Sequence, residues 1–537
     1  MNLNEQSEQF SFKEAIRNLW EEKPLVLIVF AAILIRLVAV IFSKGFAFHD
    51  DEFLVLDPAG SWVDGYDYNS WLGGRAEMNH APEGPSLFFP GIHYFILKYL
   101  KWRGVMDPQH RMYVIRGIMA AWSLITVVVG YKIAEFYGGK KVGRQAGLLL
   151  AILWFMPMLS VRDLVEMFCI PPLMLATWFA INPKRKDRLM TYFWIGIFCG
   201  IAFNTRFQTA MFTGGLGLVV MFRKNEKTLM NRIMQVFLFG LMFLATVVAV
   251  QGLVDMIIWG RPFAEFTAYI QYNIDNSRGY PNGPWYNYFL VLGGILVPPI
   301  SLLLLFGYFR SWKKYTILFL PAFCFFAFHS IFPNKQERFI LPMVPFVVVL
   351  GCIGWNEFLS TSKYWQKHPG LLKGFWTFFW ILNLIALPVV STMYTKKSRV
   401  ESMYYLYQQK DLRNFMVEES NRGDVTQAPM FYAGNWYFHP REISSQHTLL
   451  QDYLYLRTVP DSLYHPNYVL FFGKEKKDER IAAFKNFYPN AAYQTTIEPS
   501  YLDILIWKLN PVNRNETVYI YKFDDKVVNL PDSVKRM

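Results

Sequence analysis

Long apolar runs separated by short basic loops are the feature that most constrains the fold of this 537-residue chain. A helix needs about 20 apolar residues to cross a hydrocarbon core roughly 30 Å thick. Ten such stretches occur, at 24–42, 112–131, 145–160, 163–181, 191–222, 234–258, 287–309, 315–332, 339–357 and 374–394. The stretch 191–222 is long enough for two spans and is interrupted by Arg206. We therefore predict a polytopic α-helical membrane protein with about eleven transmembrane helices.

The composition supports this interpretation. Hydrophobic residues make up 53% of the chain and charged residues only 18%, which is too apolar for an ordinary soluble domain. A net charge of +13 can indicate a nucleic-acid-binding protein, but here Lys and Arg occur in short clusters between apolar runs. We therefore expect membrane lipid, and no nucleic acid, around this protein.

The distribution of Lys and Arg predicts the orientation in the membrane, because basic loops stay on the cytoplasmic side. The basic loops are 132–144, 182–190, 223–233, 310–314 and 358–373. Between Lys44 and Glu83, by contrast, two basic residues stand against eight acidic ones. This loop is predicted to lie outside, and residues 86–100 are predicted to form an interfacial helix on the outer leaflet.

Three parts follow from this topology: a cytoplasmic segment 1–23, a transmembrane domain 24–394 with a large first outer loop 43–111, and a soluble, non-cytoplasmic domain 395–537. The last part has apolar segments with period two, as in strands: APMFYAGNWYF, NYVLFFG, YLDILIWKL and TVYIYKF. With a helix predicted over Glu475–Tyr488, it is expected to be a small α/β domain.

Four polar clusters are expected on the outer side. His49, Asp50, Asp51 and Glu52 place three adjacent carboxylates near lipid, where they must find cations, metal or water. The other clusters are Ser160–Asp163, Asn204–Gln208 and Pro333–Ile340. An arginine at the bilayer centre costs about 2.5–3.5 kcal/mol, so it normally faces a cavity or a partner. Purely structural interpretations remain open for each cluster: a solvated acidic loop, an Arg162–Asp163 pair, a snorkelling Arg206 and a charged turn at Lys335.

Carboxylates next to cations at a membrane surface suit the transfer of a sugar from a lipid phosphate. A carboxylate acts as general base on the acceptor hydroxyl, while Arg and Lys offset the charge that develops on the departing phosphate. The sequence has no Walker loop, dinucleotide fingerprint or zinc pattern. We therefore expect Asp51, Arg206 and Lys335–Arg338 to meet in one pocket.

Five segments, in order, resemble motifs of the glycosyltransferase family 22 mannosyltransferases, which share the GT-C fold. The segments are HDDE at 49–52 (family His-Pro-Asp-Glu), SLFFPG at 86–91, GIAFNTRFQTAMF at 200–212, the stretch from Asp255 to Phe289, and HSIFPNKQERFILPMVP at 329–345 (family His-Lys-Glu-x-Arg-Phe-Ile-x-Pro). Asp50 replaces the usual Pro, Asn334 the hallmark His and Gln336 a Glu.

The resemblance implies an inverting, metal-independent transfer without a cofactor. The donor would be a dolichyl-type polyprenyl-phosphate mannose and the acceptor a glycan or glycolipid hydroxyl. It implies Asp51 as base, with Glu52 as its neighbour, and Arg206, Lys335, Arg338 and Arg162 as donor phosphate ligands. Further residues expected to line the site are His49, Asp50, Gln208, Asn334 and Tyr272.

Alternatives remain open: transfer of another polyprenyl-linked sugar, a lipid-linked-sugar transporter or flippase, and a non-catalytic assembly subunit. The acidic run could also hold a divalent cation. The absence of a C-terminal retention signal favours a bacterial inner membrane with a periplasmic active site. The endoplasmic reticulum is the alternative, because Asn515-Glu516-Thr517 is a glycosylation sequon.

Overall fold

The computed structural model describes residues 12–48, 51–72, 82, 86–185, 187–223, 228–511 and 513–530. Its contacts divide the chain into two compact units. We call Met1–Ile41, Leu72–Phe89 and Arg116–Thr392 the helical unit. The α/β unit comprises Phe42–Trp71, Pro90–Ile115 and Met393–Met537, so the C-terminal residues form one unit with two segments of the predicted first outer loop.

Apolar helices dominate the helical unit. Five helices in the described ranges are long and apolar enough to cross a membrane, judged by length and composition: Pro24–Phe42, Pro108–Ile152, Leu229–Trp259, Glu337–Thr361 and Pro369–Ser391. Shorter helices are Phe12–Glu22, Met156–Leu159, Val165–Phe168, Ile170–Ile181, Leu189–Thr205, Phe207–Thr209, Ala210–Phe222, Ala264–Asp275, Asn287–Ile295, Ile300–Arg310, Thr316–Ile331 and Lys363–Lys367. The count of about eleven spans stays a prediction.

Several predicted spans are interrupted. Helix Pro108–Ile152 breaks at Gly139, whose φ of 77° and ψ of 177° are not helical. The side chain of Tyr131 lies 3.0 Å from the position that a Cβ of Gly147 would occupy, so the two halves form a hairpin. Leu229–Trp259 contains a π-helical turn at Val248–Gly252, and Glu337–Met343 is a 3₁₀ turn before Val344–Thr361. The predicted span 287–309 forms two helices, because Pro298 and Pro299 lack the amide hydrogens that a continuous helix needs.

Small residues let neighbouring helices approach closely. A Cβ at Gly200 would lie 2.6 Å from the Cβ of Thr246, where helices Leu189–Thr205 and Leu229–Val247 meet. A Cβ at Gly351 would lie 2.6 Å from the carbonyl oxygen of Leu304. Such backbone contacts are typical of helix packing in membranes.

In the residues that the structure describes, the α/β unit contains a five-stranded sheet. Its strands are β1 (Phe415–Glu419), β2 (Arg441–Ser444), β3 (Tyr468–Phe472), β4 (Ala492–Ile497) and β5 (Val518–Lys522), in the order β2-β1-β3-β5-β4. β1 pairs in parallel with β2 and β3, whereas β5 is antiparallel to β3 and β4. Its helices are Phe53–Val63, Phe88–Trp102 from Pro90 onward, Lys397–Tyr407, Met430–Ala433, Leu449–Thr458, Ser462–Tyr464, Lys477–Phe487 and Tyr501–Leu509.

The small C-terminal sheet was predicted, but its elements were predicted only in part. NYVLFFG and TVYIYKF contain β3 and β5, and the helix predicted at 475–488 is present. YLDILIWKL is a helix, because Ser500 and Asp503 form a capping box at its start. APMFYAGNWYF contains a short helix that ends at Gly434 with a positive φ.

The sequon is buried in the folded unit. Asn515 is only 2% exposed, and the Thr517 hydroxyl donates a hydrogen bond to Glu498 at 2.6 Å. A glycan on Asn515 is incompatible with this packing.

Candidate functional site

Arg206 lies at a break in the apolar run 189–222. Helix Leu189–Thr205 ends there because the backbone of Arg206 is extended (φ −150°, ψ 107°), and a 3₁₀ turn follows before helix Ala210–Phe222. Its side chain is buried, with the guanidinium 5.2 Å from the ring centre of Phe339 and 5.7 Å from that of Phe325. A buried cation in apolar surroundings requires an anionic partner.

That partner is Glu166, which sequence analysis did not select. An ion pair of 2.9 Å joins Arg206 Nη1 to Glu166 Oε1, without hydrogen-bond geometry. Arg338 Nη1 approaches the same oxygen at 3.5 Å, because helix Val165–Phe168 packs against the 3₁₀ turn Glu337–Met343. Two of the predicted phosphate ligands, Arg206 and Arg338, therefore share one carboxylate.

His329 extends this centre. Its Nε2 lies 3.3 Å from Arg206 Nη2, and its Nδ1 lies 2.9 Å from the carbonyl oxygen of Phe325. His329 and Glu166 share one sequence signal of a functional residue, which is an acidic or basic side chain within an apolar segment.

Lys335 is buried and bonded to backbone. Its ammonium donates to the carbonyls of His329 (2.7 Å), Ser330 (2.9 Å) and Phe332, at the end of helix Thr316–Ile331. Burial lowers the pKa of Lys335 from its usual value. An ammonium has three N–H donors, so a phosphate bound here would compete with a helix cap.

The other predicted residues of this unit have separate positions. Arg162 is fully buried in the turn between Met156–Leu159 and Val165–Phe168. Gln208 Nε2 donates to the Tyr269 hydroxyl at 2.6 Å. Asn334 is buried and forms an antiparallel bridge with Asn282. Tyr272 is 51% exposed and its hydroxyl contacts that of Tyr280.

The predicted base belongs to the α/β unit. Asp51 is partly exposed in the turn before helix Phe53–Val63. Glu52 is buried, and its Oε1 accepts a 2.7 Å hydrogen bond from the amide of Ala47. His49 and Asp50 lie outside the described residues.

The C-terminal part of the chain fixes the segment that leads to Asp51. The Thr395 hydroxyl donates to the carbonyl of Phe46 at 2.8 Å, and the Lys396 ammonium donates to the carbonyl of Phe48. Gly45 forms a parallel bridge with Thr395. Thr395 and Lys396 thus hold the segment Gly45–Phe48 in place.

A second buried carboxyl cluster joins Asp255 and Glu265. The amide of Gln251, a residue of the π-helical turn, donates to Asp255 Oδ1 at 2.7 Å and to Glu265 Oε2 at 2.5 Å. Glu265 also accepts the amide of Leu87 at 2.9 Å. Burial and the neighbouring Asp255 raise the pKa of Glu265. The cluster ties the segment after Ser86 to the helices around residues 251–265.

Comparison with known proteins gives consistent matches. The model of the Alg9-like mannosyltransferase family matches residues 25–438. A GPI alpha-1,2-mannosyltransferase 3 of Danio rerio is 27% identical over 120 residues, 22% of this chain and 22% of that protein. The chain therefore matches about a fifth of this curated relative.

Solved structures of ArnT from Cupriavidus metallidurans have the same fold. The apo structure has a TM-score of 0.57 at 12% identity, covering 96% of this chain and 100% of ArnT. The structure bound to undecaprenyl phosphate has a TM-score of 0.53 at 10% identity, covering 92% and 97%. At this identity the likeness shows the fold alone, which is the expected GT-C architecture.

Proposed function

The chain belongs to the Alg9-like mannosyltransferase family, and from this premise we propose that it transfers mannose from a polyprenyl-phosphate carrier to a hydroxyl of a glycan or glycolipid. The proposed reaction is an inverting displacement that gives an α-mannoside from a β-linked donor, on the non-cytoplasmic side of the membrane. We propose that it needs neither a metal nor a cofactor.

The observation that carries this proposal is the pair of arginines around the buried Glu166. Arg206 and Arg338 contact one carboxylate oxygen at 2.9 and 3.5 Å, among apolar helices. Guanidinium groups bind phosphate oxygens well, and in a site that excludes water they stabilise developing charge strongly. A lipid phosphate reaches such a centre from the membrane. That ArnT binds undecaprenyl phosphate supports a polyprenyl phosphate as carrier.

We assign to Arg206 and Arg338 the direct contacts to the donor phosphate. Lys335 acts on the same site chiefly by capping helix Thr316–Ile331, because its donors already bind three carbonyls. Arg162, which is fully buried in the turn before helix Val165–Phe168, is proposed to assist.

Asp51 is proposed as the general base that takes the proton of the acceptor hydroxyl. It is more exposed than Glu52, which agrees with a group that must meet an incoming acceptor. Glu52 fixes the turn through its hydrogen bond to the Ala47 amide.

A donor screen tests the proposal. Purified protein is incubated with radiolabelled polyprenyl-phosphate sugars and candidate acceptors, and the product linkage is determined. We expect transfer of mannose, and for Asp51→Asn a loss of rate of about 100-fold or more with an unchanged melting temperature. Wild-type turnover by Asp51→Asn removes Asp51 from the mechanism. Preferred transfer of another sugar assigns the donor differently, and transport without product in proteoliposomes identifies a transporter.

A further inference from the structure

Glu166 has an unusual position for a carboxylate. It is 1% exposed and lies on a four-residue helix within an apolar part of the chain. One oxygen, Oε1, contacts both Arg206 and Arg338. The other oxygen, Oε2, is buried without a hydrogen-bond partner in the described ranges. A buried carboxylate with an unsatisfied oxygen is costly, so packing alone does not account for it.

Two parts of the chain bring an arginine to Glu166. The packing of helix Val165–Phe168 against the turn Glu337–Met343 brings Arg338 to it. Helix Leu189–Thr205 ends at Arg206, whose backbone is extended and whose guanidinium reaches the same oxygen. Glu166 therefore holds two guanidinium groups, 132 residues apart in sequence, around one point.

The charges of the three side chains sum to +1, since two guanidiniums carry +2 and one carboxylate −1. A sugar joined to a lipid through a phosphodiester carries one negative charge, which this centre neutralises. After transfer the lipid keeps a phosphate monoester, with a charge of about −1.5 to −2. Glu166 repels this product more than it repels the donor.

We propose that Glu166 is a positioning residue that orients Arg206 and Arg338 on the donor phosphate and, through its charge, promotes release of the lipid phosphate product. This inference rests on the proposed function. Without Glu166, the two arginines have a net charge of +2 and retain a monoester. Turnover is then limited by product release.

Binding measurements test this without requiring catalysis. Two soluble probes are compared by calorimetry on the full chain: farnesyl phosphate, a monoester, and farnesyl methyl phosphate, a diester. In Glu166→Gln we expect monoester affinity to rise about tenfold or more, and more than diester affinity, because a nearby like charge is removed. Steady-state assays should then show stronger product inhibition and a lower kcat.

Glu135→Gln is the matched control. It removes one carboxylate charge from the same unit, but this carboxylate accepts its hydrogen bond from the neutral Tyr131 hydroxyl. Both affinities should stay at wild-type values. Glu166→Asp keeps the charge, so its ratio of monoester to diester affinity should stay within about twofold of wild type.

Unchanged or weaker monoester binding by Glu166→Gln overturns the inference. If Glu166→Gln does not fold even with farnesyl phosphate present, the test uses Glu166→Asp, which keeps the negative charge. A tenfold higher affinity of Glu166→Asp for the monoester shows that the charge is not the cause and overturns the inference. Binding of neither probe to wild type rejects the phosphate site itself, and with it the proposed function.

Discussion

Replacing Lys335 distinguishes most clearly between two roles of this side chain, a helix cap and a phosphate ligand. Lys335→Met keeps most of the apolar stem but leaves the carbonyls of His329, Ser330 and Phe332 without their donor. A hydrogen bond to a charged group contributes about 1.5–3 kcal/mol. The two hydrogen bonds of 2.7 and 2.9 Å together contribute about 3–6 kcal/mol to the free energy of unfolding. The cost of burying the ammonium reduces this contribution.

We therefore expect Lys335→Met to lower the stability of the helical unit by about 3 kcal/mol. Thermal unfolding in detergent, followed by tryptophan fluorescence, measures this loss. Lys314→Met is the control, because Lys314 pairs with Glu357 on the surface, where solvent screens the ion pair and its loss should leave the stability near that of wild type. A Lys335→Met protein as stable as wild type, yet impaired in phosphate binding, refutes the cap and identifies Lys335 as a ligand.

Three further changes test other contacts. Arg206→Lys keeps the charge but loses the guanidinium, whose two terminal nitrogens reach Glu166 and His329. The KM for the donor should therefore rise about tenfold in initial-rate assays. An unchanged KM contradicts a role of Arg206 in donor binding. Burial raises the pKa of Asp57 from 3.8 to about 8. Between these two values the native state binds more protons than the unfolded state. The free energy of unfolding should therefore fall by up to about 1.4 kcal/mol per pH unit as the pH rises from 4 to 8. Asp57→Asn should remove this slope in melts at pH 5 and 8, and an identical slope in both proteins rules Asp57 out as the cause. Gly45→Ala introduces a side chain at a φ of +79°, against the carbonyl of Thr395. It should lower the free energy of unfolding by about 1–3 kcal/mol and speed proteolysis of the segment that follows Phe42. Equal proteolysis rates in the variant and the wild type contradict this prediction.

Much of the fold could be predicted because apolar periodicity and length act locally. The runs that predicted spans do form apolar helices, and a helix at Phe88–Trp102 occupies most of the predicted segment 86–100. The errors arose where local signals compete. YLDILIWKL alternates like a strand, but its capping box favours a helix. β4 is polar and largely exposed, so its sequence carries no apolar alternation.

The site could be predicted only for residues within recognisable motifs. Arg206 and Arg338 stand in such motifs, and the structure brings them to one carboxylate. Glu166 stands four residues after Arg162 in an apolar context, a signal that points to function but names no partner. The role of Lys335 as a cap depends on how the chain turns after Ile331, which spacing alone does not determine.

Arg206 and Arg338 are proposed to bind the phosphate of a lipid-linked mannose. The most direct measurement is the single-turnover rate of radiolabelled mannose transfer by Arg338→Met, which removes the guanidinium that lies 3.5 Å from Glu166 and keeps an unbranched side chain. With saturating donor and a wild-type melting temperature, the rate should fall about 100-fold or more. Transfer at the wild-type rate by this folded variant would show that Arg338 does not bind the donor phosphate.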